Sequence, residues 1–379
     1  MALVLTEEQQ MLSDAATGFL AEKAPVSALR KLRDERDENG YSKELWQQMV
    51  DMGWAGIAIP ENYGGSDYGY VGLGIVLQAV GKYLSVSPIN ASVLVGATLV
   101  QLTGSETQKN ALLSAVANGE LLLSLALEEG AHHAPEQTAL SAAPQGNNFV
   151  LNGDKVFVLD AHVADKFIVA ARSAGVAGDS NGISLFLVDR NVVGLTVERT
   201  IMVDSRNAGT VKFDNVAVSA DRLLGEKDHG YGSLQQTLDI ANIGLSAELL
   251  GLSLQAFEQT VQYLKEREQF GAVIGTFQGL QHRAAHLFCE LELCKSMVLN
   301  ALQAVDAKRD GLSFLASATK AKMCEVATLA TNEAVQMHGG VGMTDEFDIG
   351  FYIKRARVAQ QTFGDYNYHL DRYAGLNGY

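Results

Sequence analysis

Apolar residues recur at intervals of three or four over the first part of the chain, which is the spacing that lines one face of a helix. Thr6 precedes an acidic first turn, Ser42 precedes a second helical segment, and Gly53 follows the end of that segment. Residues 91–102 form a further apolar segment with small residues. The pattern predicts an N-terminal α-helical domain over residues 1–120.

The pattern changes near residue 121, where short apolar segments rich in β-branched residues replace the helical spacing. Residues 149–158 predict two strands joined at Asn152-Gly153, since Asn-Gly is a strong hairpin signal. Further strands, separated by Gly, Asp, Ser and Asn, are predicted over residues 167–171, 183–188, 195–197 and 211–218. Regular short strands of this kind are typical of an antiparallel barrel or sandwich. We therefore expect a middle antiparallel β-barrel domain over residues 121–222.

Helical spacing returns from residue 231. Apolar residues follow one another at intervals of three and four from Leu250 to Leu264 and from Leu287 to Leu302. Residues 316–337 are rich in alanine, which permits close helix contacts, and residues 351–363 complete the set. These segments predict a C-terminal four-helix bundle over residues 223–379. The whole chain is thus expected to be a multidomain α and β protein with the order α, β, α.

Composition and charge narrow the function classes. The chain has 379 residues, 47% of them hydrophobic, so it can bury a substantial core and form two or three domains. Its 29 basic residues against 44 acidic ones give a net charge of −15, and no basic block stands out. This balance argues against nucleic acid as the main partner.

Cysteine usage and the first residues indicate the compartment. Cys289, Cys294 and Cys324 lie in helical sequence without the spacing of a zinc site, so we interpret them as small core residues in a reducing compartment. The first twelve residues lack a basic n-region and an apolar h-region, and no apolar run of about 18 residues suggests a membrane span. Cytoplasmic residence is the resulting expectation.

Two short motifs could hold a polar ligand. A predicted helix ends at His338 and is followed by Gly339, Gly340 and Gly342, whose backbone can approach a ligand without Cβ contacts. The alternative is a simple helix-loop-helix corner, because a short glycine motif is a weak signal.

The second motif is REQFGAVIGTFQ, between two C-terminal helices. Arg267 offers a planar fork for phosphate oxygens, Phe270 a stacking face, and Gln278 an amide that could read a nucleotide edge. Together they suit a dinucleotide. The alternative is a surface arginine beside a core phenylalanine.

Other chemistry finds less support in the sequence. His132 and His133 could be acid-base or metal groups, but such a pair is more often a solvated loop, and no further metal ligand follows nearby. The motifs GxGxxG after a strand, the Walker loop, GxSxG and HExxH are absent. This removes the commonest signals for NAD, nucleoside triphosphates, serine hydrolases and zinc proteases.

In order along the chain stand LTEEQ, LWQQMVDMGWAGIAIPENYGG, NGDKVFV, REQFGAVIGTFQGLQH and QMHGGVGM. With these motifs the chain resembles the acyl-CoA dehydrogenase family over nearly its whole length. The segment FGDYNYHLDRYA is most similar to the small subunits of hetero-oligomeric bacterial enzymes of the pimeloyl-CoA and steroid-side-chain types.

This resemblance implies FAD-dependent α,β-desaturation of an acyl-CoA thioester. In the family a carboxylate removes the α-proton, the β-hydride passes to the flavin, and an electron-transfer flavoprotein reoxidises the cofactor. Such chemistry requires a poised base and a polarised carbonyl in a dry cleft. The usual assembly is a tetramer, built as a dimer of dimers.

The resemblance assigns roles position by position. Asp239 matches a position near the CoA pantetheine, and Asn242 replaces an arginine that contacts CoA. Phe157 and Leu159 replace a tryptophan and a threonine that flank the flavin ring. By the resemblance, six residues would contact the FAD of a neighbouring subunit: Arg267, Phe270, Gln278, Gln336, Gly339 and Gly340.

The departures from the family concern the base and the flavin loop. Phe363 stands where the family's usual glutamate precedes Gly-Thr, and Ala241 stands at the alternative glutamate position. Phenylalanine cannot abstract a proton. The loop that usually reads TEPGAGSD is LEEGAHHA, residues 127–134, so flavin contacts from this subunit's own β domain are doubtful.

Three readings remain open. In the first, the chain is a competent dehydrogenase whose base has moved to Asp365 or, second, to Glu248, although either carboxylate could instead be structural. In the second, it is a non-catalytic partner subunit that completes the FAD site. In the third, the fold serves a flavin oxidase or monooxygenase. Small residues at 244, 246 and 247 could leave room for a bulky or long acyl group.

Overall fold

The computed structural model describes residues 3–379 and divides into two compact units. One, here called the helical unit, consists of Met1–Asp34, Tyr70–Val86 and Asn242–Tyr379. The other, here called the sheet unit, consists of Glu35–Gly69 and Ser87–Ala241. Because both units are built from separated stretches of chain, they do not coincide with the three segments expected from sequence, whose boundaries stay a prediction.

Capping residues begin several helices where the sequence predicted them. The Thr6 side chain accepts a hydrogen bond from the Gln9 amide in a capping box, Ser42 accepts one from the Leu45 amide, and Gly53 takes a φ of +79° after the second of these helices. The α-helices in chain order are α1 (Glu7–Lys23), α2 (Val26–Glu35), α3 (Lys43–Asp51), α4 (Gly69–Tyr83), α5 (Thr98–Thr103), α6 (Glu106–Ala117), α7 (Tyr231–Glu266), α8 (Gln278–Asp306), α9 (Leu312–His338), α10 (Ile349–Gln361) and α11 (Tyr366–Leu376).

Helix α9 lies at the centre of the helical unit, where α8, α10 and α11 all pack against it. Its alanine-rich face is buried, as the tight helix contacts predicted from composition require. Gly81 on α4 approaches α7 so closely that an added Cβ would lie 2.0 Å from the Glu248 carbonyl oxygen. This contact brings two apolar helices together backbone to backbone.

Helix α7 is long and apolar enough to cross a membrane by length and composition, with a mean hydropathy of 1.3 over its most apolar window. The expectation that the chain has no apolar run of about 18 residues is therefore wrong. In the structure 83% of that window is buried, which is the pattern of a core helix.

The sheet unit contains an eight-stranded sheet with the order β6-β7-β3-β2-β4-β5-β8, and β1 pairs with β4. The strands are β1 (Leu123–Ala126), β2 (Ser141–Gln145), β3 (Asn148–Leu159), β4 (Lys166–Arg172), β5 (Ile183–Asp189), β6 (Leu195–Ile201), β7 (Asn207–Ser219) and β8 (Leu223–Leu224). Strands β1 and β4 run parallel, and β2 meets β4 in a short parallel pairing. The expected closed antiparallel barrel is therefore wrong: the sheet is open and mixed. Strand periodicity reports which residues face the core but not which strands pair.

The predicted hairpin at Asn152-Gly153 is also wrong. Strand β3 continues through both residues, and its register against β7 shifts between Leu151 and Gly153. The positive φ of Gly153, +136°, is used for this irregularity rather than for a turn. The chain reverses instead between β2 and β3, after Gln145.

A buried apolar cluster on β3, β4, β5 and β7 forms the core of the sheet unit and includes Phe149 and Phe186, whose ring centroids are 5.0 Å apart. The apolar segment predicted as a helix over 91–102 is a π-helix over Ile89–Ala97 followed by α5. It packs on β1, where Ser92 Oγ accepts a hydrogen bond from the Leu123 amide. Apolar spacing did not distinguish these two helix types.

Candidate active site

The Arg267 motif forms a short exposed hairpin between α7 and α8. Strands β9 (Glu268–Gln269) and β10 (Ala272–Val273) pair across a turn in which Phe270 has a φ of +55°. Phe270 is 93% exposed, which is unusual for a large apolar side chain. Arg267 and Gln278 are exposed at the two ends of the hairpin. A guanidinium, an aromatic ring and an amide are thus presented outward on one connection.

The glycine turn after α9 presents open backbone. Gly339 takes a φ of +64°, which favours glycine, and a Cβ at Gly339 or Gly340 would meet nothing within 4 Å. Gly342 is different, because a Cβ there would lie 2.8 Å from the Val335 carbonyl oxygen. Gln336 is exposed on the last turn of α9. The backbone of residues 339–340 is therefore accessible to a ligand.

An aromatic cluster joins the hairpin to the glycine turn. The rings of Tyr263 on α7 and His338 on α9 stack at 4.4 Å, and Phe347 packs edge-on against both. Beside them Leu264, Ile274 and Met337 form a small buried core. Burial lowers the pKa of His338, whose ring contacts the Ala334 carbonyl at 2.7 Å. The two motifs predicted to contact FAD therefore pack on the same small core in the helical unit.

Two arginines of α2 hold the segment that follows the glycine turn. Arg33 binds both carboxylate oxygens of Asp345 at 2.6 and 2.8 Å, and Arg30 binds Asp348 at 2.9 and 3.1 Å. The Arg30 guanidinium also lies 4.5 Å from the centroid of the Phe351 ring. The hydrogen bond from Arg33 lowers the pKa of Asp345 to about 2. These charged contacts restrain the loop between the turn and α10.

The chain turns sharply between α10 and α11, at a segment that we call the corner (residues 362–365). Phe363 has a φ of +57° and is 8% exposed, and Gly364 has a φ of +102°. The Phe363 carbonyl accepts a hydrogen bond from Asn242 Nδ2 at 3.1 Å. A Cβ at Gly364 would lie 2.4 Å from Tyr368, so only glycine fits there. The corner is a tightly defined backbone feature.

Glu248 forms a buried ion pair with Arg355. The carboxylate on α7 is fully buried, and it accepts hydrogen bonds from Arg355 Nε at 2.8 Å and from a terminal guanidinium nitrogen at 2.9 Å. This fork-to-fork geometry is the strongest form of the pair.

Family models match the three parts of the chain in order. They are the acyl-CoA dehydrogenase N-terminal domain over residues 6–120, the middle domain over 128–216 and the C-terminal domain over 228–375. The chain belongs to the acyl-CoA dehydrogenase family. Members of this family among its relatives are FAD-dependent oxidoreductases.

Relatives and solved structures agree over the full length. The probable acyl-CoA dehydrogenase YngJ of Bacillus subtilis is 30% identical over 369 residues, 95% of each chain. Butyryl-CoA dehydrogenase from Megasphaera elsdenii superposes with a TM-score of 0.91 at 26% identity, covering 100% of both chains. A variant of the steroid acyl-CoA dehydrogenase Tcur3481-Tcur3483 has a TM-score of 0.88 at 29% identity and covers 98% of both.

Two of the residues to which the resemblance assigned roles, Phe157 and Asp239, lie in the sheet unit. Phe157 is half-buried in the β3 irregularity and has a φ of +52°. Asp239 is 2% exposed on α7. Asn242, on the same helix but in the helical unit, is also 2% exposed and is engaged with the corner. Cofactor contact by Phe157 and substrate contact by Asp239 and Asn242 stay predictions.

Ion pairs hold the loop over residues 127–134, which stands in place of the family's flavin loop. His133 Nδ1 lies 2.6 Å from Glu128, and its side chain is only 4% exposed. The fully buried Lys155 binds Glu129 at 2.7 Å and the Leu127 carbonyl at 2.8 Å. Reading His133 as a solvated loop residue is therefore wrong, because its side chain pairs inside the loop. Among residues 3–379 no group of three metal-ligating side chains is found.

The cysteine interpretation holds for two residues of three. Cys294 and Cys324 are buried, and burial raises the pKa of Cys294 to about 12. Cys289 is exposed, so its assignment to the core is wrong. An exposed position on an otherwise amphipathic helix cannot be recognised from residue type alone.

Both carboxylates considered as displaced bases have structural partners. Asp365 is the N-cap of α11, and its Oδ1 accepts a hydrogen bond from the Tyr368 amide at 2.9 Å. Glu248 is held by Arg355 away from solvent. The geometry favours structural roles for both, which the sequence had left open.

Asp365→Asn is expected to leave turnover of the assembled enzyme within about twofold, because asparagine also caps helices well. Asp365→Ala should lower the free energy of unfolding by about 1 kcal/mol through loss of the cap. Steady-state kinetics and thermal denaturation of the two variants provide the measurement. A loss of turnover of about a hundredfold in Asp365→Asn, with stability unchanged, would show that Asp365 is the base.

Sequence reasoning missed three residues that shape this region: Arg355, Lys320 and His369. Each is buried, at 5%, 0% and 0% exposure respectively. Lys320 stands in an alanine-rich helix on its buried side, and this charged residue on an apolar face was the signal available in the sequence. The partners of Arg355 and Lys320, Glu248 and Asn242, lie 107 and 78 residues away along the chain, so sequence could not identify them.

Proposed function

We propose that the chain is a subunit of an FAD-dependent acyl-CoA dehydrogenase that introduces an α,β double bond into an acyl-CoA thioester. The observation that carries this is the shared packing of the Arg267 hairpin and the Gly339 turn in a chain of this family. When bound, FAD would supply the hydride acceptor for the β-carbon. Electrons would then pass to an electron-transfer flavoprotein.

The residues of the helical unit fit a dinucleotide. Arg267 can pair with phosphate oxygens, Phe270 can stack on a ring, and the open backbone at Gly339 and Gly340 can approach the phosphates. Gln278, which follows the hairpin, and Gln336, which precedes the glycine turn, add two exposed amides. All of them point outward from one chain, which suits FAD shared with a neighbouring subunit. This supports the proposal of a tetramer in which subunits complete one another's cofactor sites.

A second candidate is a non-catalytic partner subunit that completes the FAD site of a homologous chain. Two points favour it: Phe363 stands where the resemblance places the family's base, and both Asp365 and Glu248 are engaged in structural contacts. The closed loop over residues 127–134 supports it as well. In this case the base would come from the homologous subunit. The similarity to a steroid acyl-CoA dehydrogenase variant makes a bulky acyl group a reasonable first substrate.

The two candidates are separated by purifying the chain alone and with its homologous partner. Flavin absorbance, FAD per chain and bleaching by acyl-CoA are measured for each preparation. Full flavin occupancy with bleaching by the lone chain would eliminate the partner-subunit candidate. Flavin and bleaching only in the complex would support it. If neither preparation holds FAD, the proposed function fails.

A further inference from the structure

A buried hydrogen-bond network centred on Lys320 holds the backbone of the corner. Lys320 Nζ on α9 donates to the Thr362 carbonyl at 2.7 Å and to Asn242 Oδ1 at 3.0 Å. Asn242 in turn donates to the Phe363 carbonyl, which His369 Nε2 also contacts at 3.1 Å. Two successive carbonyls of the corner are therefore fixed by side chains from three helices.

The chemistry of Lys320 is unusual because it is fully buried and both of its hydrogen-bond acceptors are neutral oxygens. A neutral amine has two N–H donors, which match these two acceptors, whereas an ammonium has a third donor to satisfy. Burial, with a smaller contribution from Arg355, lowers the pKa of Lys320 to about 8. The geometry and the burial thus agree in favouring the neutral amine above that pH.

Charged and titratable groups surround Lys320 on every packed element. Cys324 lies one turn along α9, and Arg355 on α10 is paired with Glu248 on α7. Asp365 is the N-cap of α11. On α11, His369 Nδ1 lies 3.5 Å from Ser317 Oγ on α9, and Arg372 donates to the same hydroxyl at 2.9 Å. Cys324 and Asp365 favour the charged amine, and their effect is smaller than that of burial.

We propose that Lys320 is a positioning residue that holds the corner in place, and that its loss of a proton in alkaline solution tightens this hold. The proposal rests on the proposed function only in treating the corner as the family's catalytic position. The hydrogen-bond network itself lies within the helical unit. Local opening of the corner would expose Lys320 to water, where it takes up a proton as an ordinary lysine does.

The sign of the pH effect follows from the lowered pKa of Lys320. Between about pH 8 and the ordinary lysine value near 10.5, the closed state holds the neutral amine and the open state the ammonium. Opening then binds a proton, so it becomes less favourable as the pH rises, by at most about tenfold per pH unit. Below pH 8 both states are protonated, and the pH dependence disappears.

Hydrogen–deuterium exchange of the full chain tests the proposal without FAD or substrate. Amide exchange of residues 363–369 is measured from pH 7 to 10 and divided by the intrinsic exchange rate at each pH. The wild type should show protection that is flat below pH 8 and rises above it. Lys320→Met should exchange at least about tenfold faster in this segment at pH 9 and lose the pH dependence.

Lys155→Met is the matched control, because Lys155 is also fully buried and bonded to a carbonyl, but in the sheet unit. It should leave residues 363–369 as in the wild type. If Lys320→Met does not fold, Lys320→Gln keeps a donor without a titrating group and should show partial protection with no pH step. The proposal is overturned if residues 363–369 exchange in Lys320→Met at the wild-type rate. It is also overturned if the pH step persists in either Lys320 variant. If neither the chain alone nor its complex with a homologous partner binds FAD, the proposed function fails, and the exchange result for residues 363–369 is unaffected.

Discussion

Replacing Arg355 with methionine is expected to lower the free energy of unfolding of the helical unit by about 3–5 kcal/mol. The substitution keeps the volume but leaves the fully buried Glu248 carboxylate without its guanidinium partner. An uncompensated charge inside a protein costs far more than the pair contributes when intact. For a domain of this size, the melting temperature should fall by about 6–20 °C.

A double variant and a surface control make this test specific. Glu248→Leu combined with Arg355→Met removes both charges and should recover most of the loss, because apolar replacements of a buried pair are often neutral. Lys82→Met breaks the pair with Glu258, whose side chains are 29% and 58% exposed, and should cost under about 1 kcal/mol. If the double variant is as unstable as Arg355→Met, the buried charge is not the cause.

Replacing Arg267 with alanine is expected to weaken FAD binding by the assembled enzyme about 10- to 100-fold. Hydrogen bonds to charged groups are worth about 1.5–3 kcal/mol, and each 1.4 kcal/mol is a factor of ten. Arg267 is exposed at the start of the β9-β10 hairpin, so removing its side chain should leave the small core around Tyr263 unchanged. Flavin fluorescence during FAD titration, at fixed salt, gives the dissociation constant.

Lys265→Ala is the matched control for this prediction. Lys265 is an exposed cation in the last turn of α7, two residues before Arg267. Its removal changes the long-range field by the same charge but takes away no planar fork, so FAD affinity should change less than about threefold. Equal losses in the two variants would reduce the role of Arg267 to general electrostatic attraction. An unchanged affinity in Arg267→Ala would remove it from the cofactor site.

The position of Phe363 makes the origin of the catalytic base the central functional question. The corner that carries it is ordered by Asn242, His369 and Lys320, and Phe363 itself offers no acid. An ordered corner without an acid favours the partner-subunit candidate over a displaced base.

Local signals in the sequence determined the elements and the family. Caps such as Thr6 and Ser42, the positive-φ glycines Gly53 and Gly339, and apolar spacing depend on contacts within a few residues, so they can be read directly. The order of helical and strand segments, with the ordered motifs, was enough to indicate an acyl-CoA dehydrogenase. The same local signals could not show that Asn152-Gly153 lies inside a strand, because β7 supplies the pairing that keeps β3 extended.

The tertiary structure alone decided the sheet topology and the roles of the buried charges. The sheet proved open and mixed because strand pairing joins β1 with β4 across intervening chain. Glu248 meets Arg355 across 107 residues, and Lys320 meets Asn242 across 78. The state of a buried carboxylate or amine depends on burial and on such distant partners, neither of which sequence spacing encodes. The sequence can therefore suggest Asp365 and Glu248 as candidate bases, but only the fold shows that both already have structural partners.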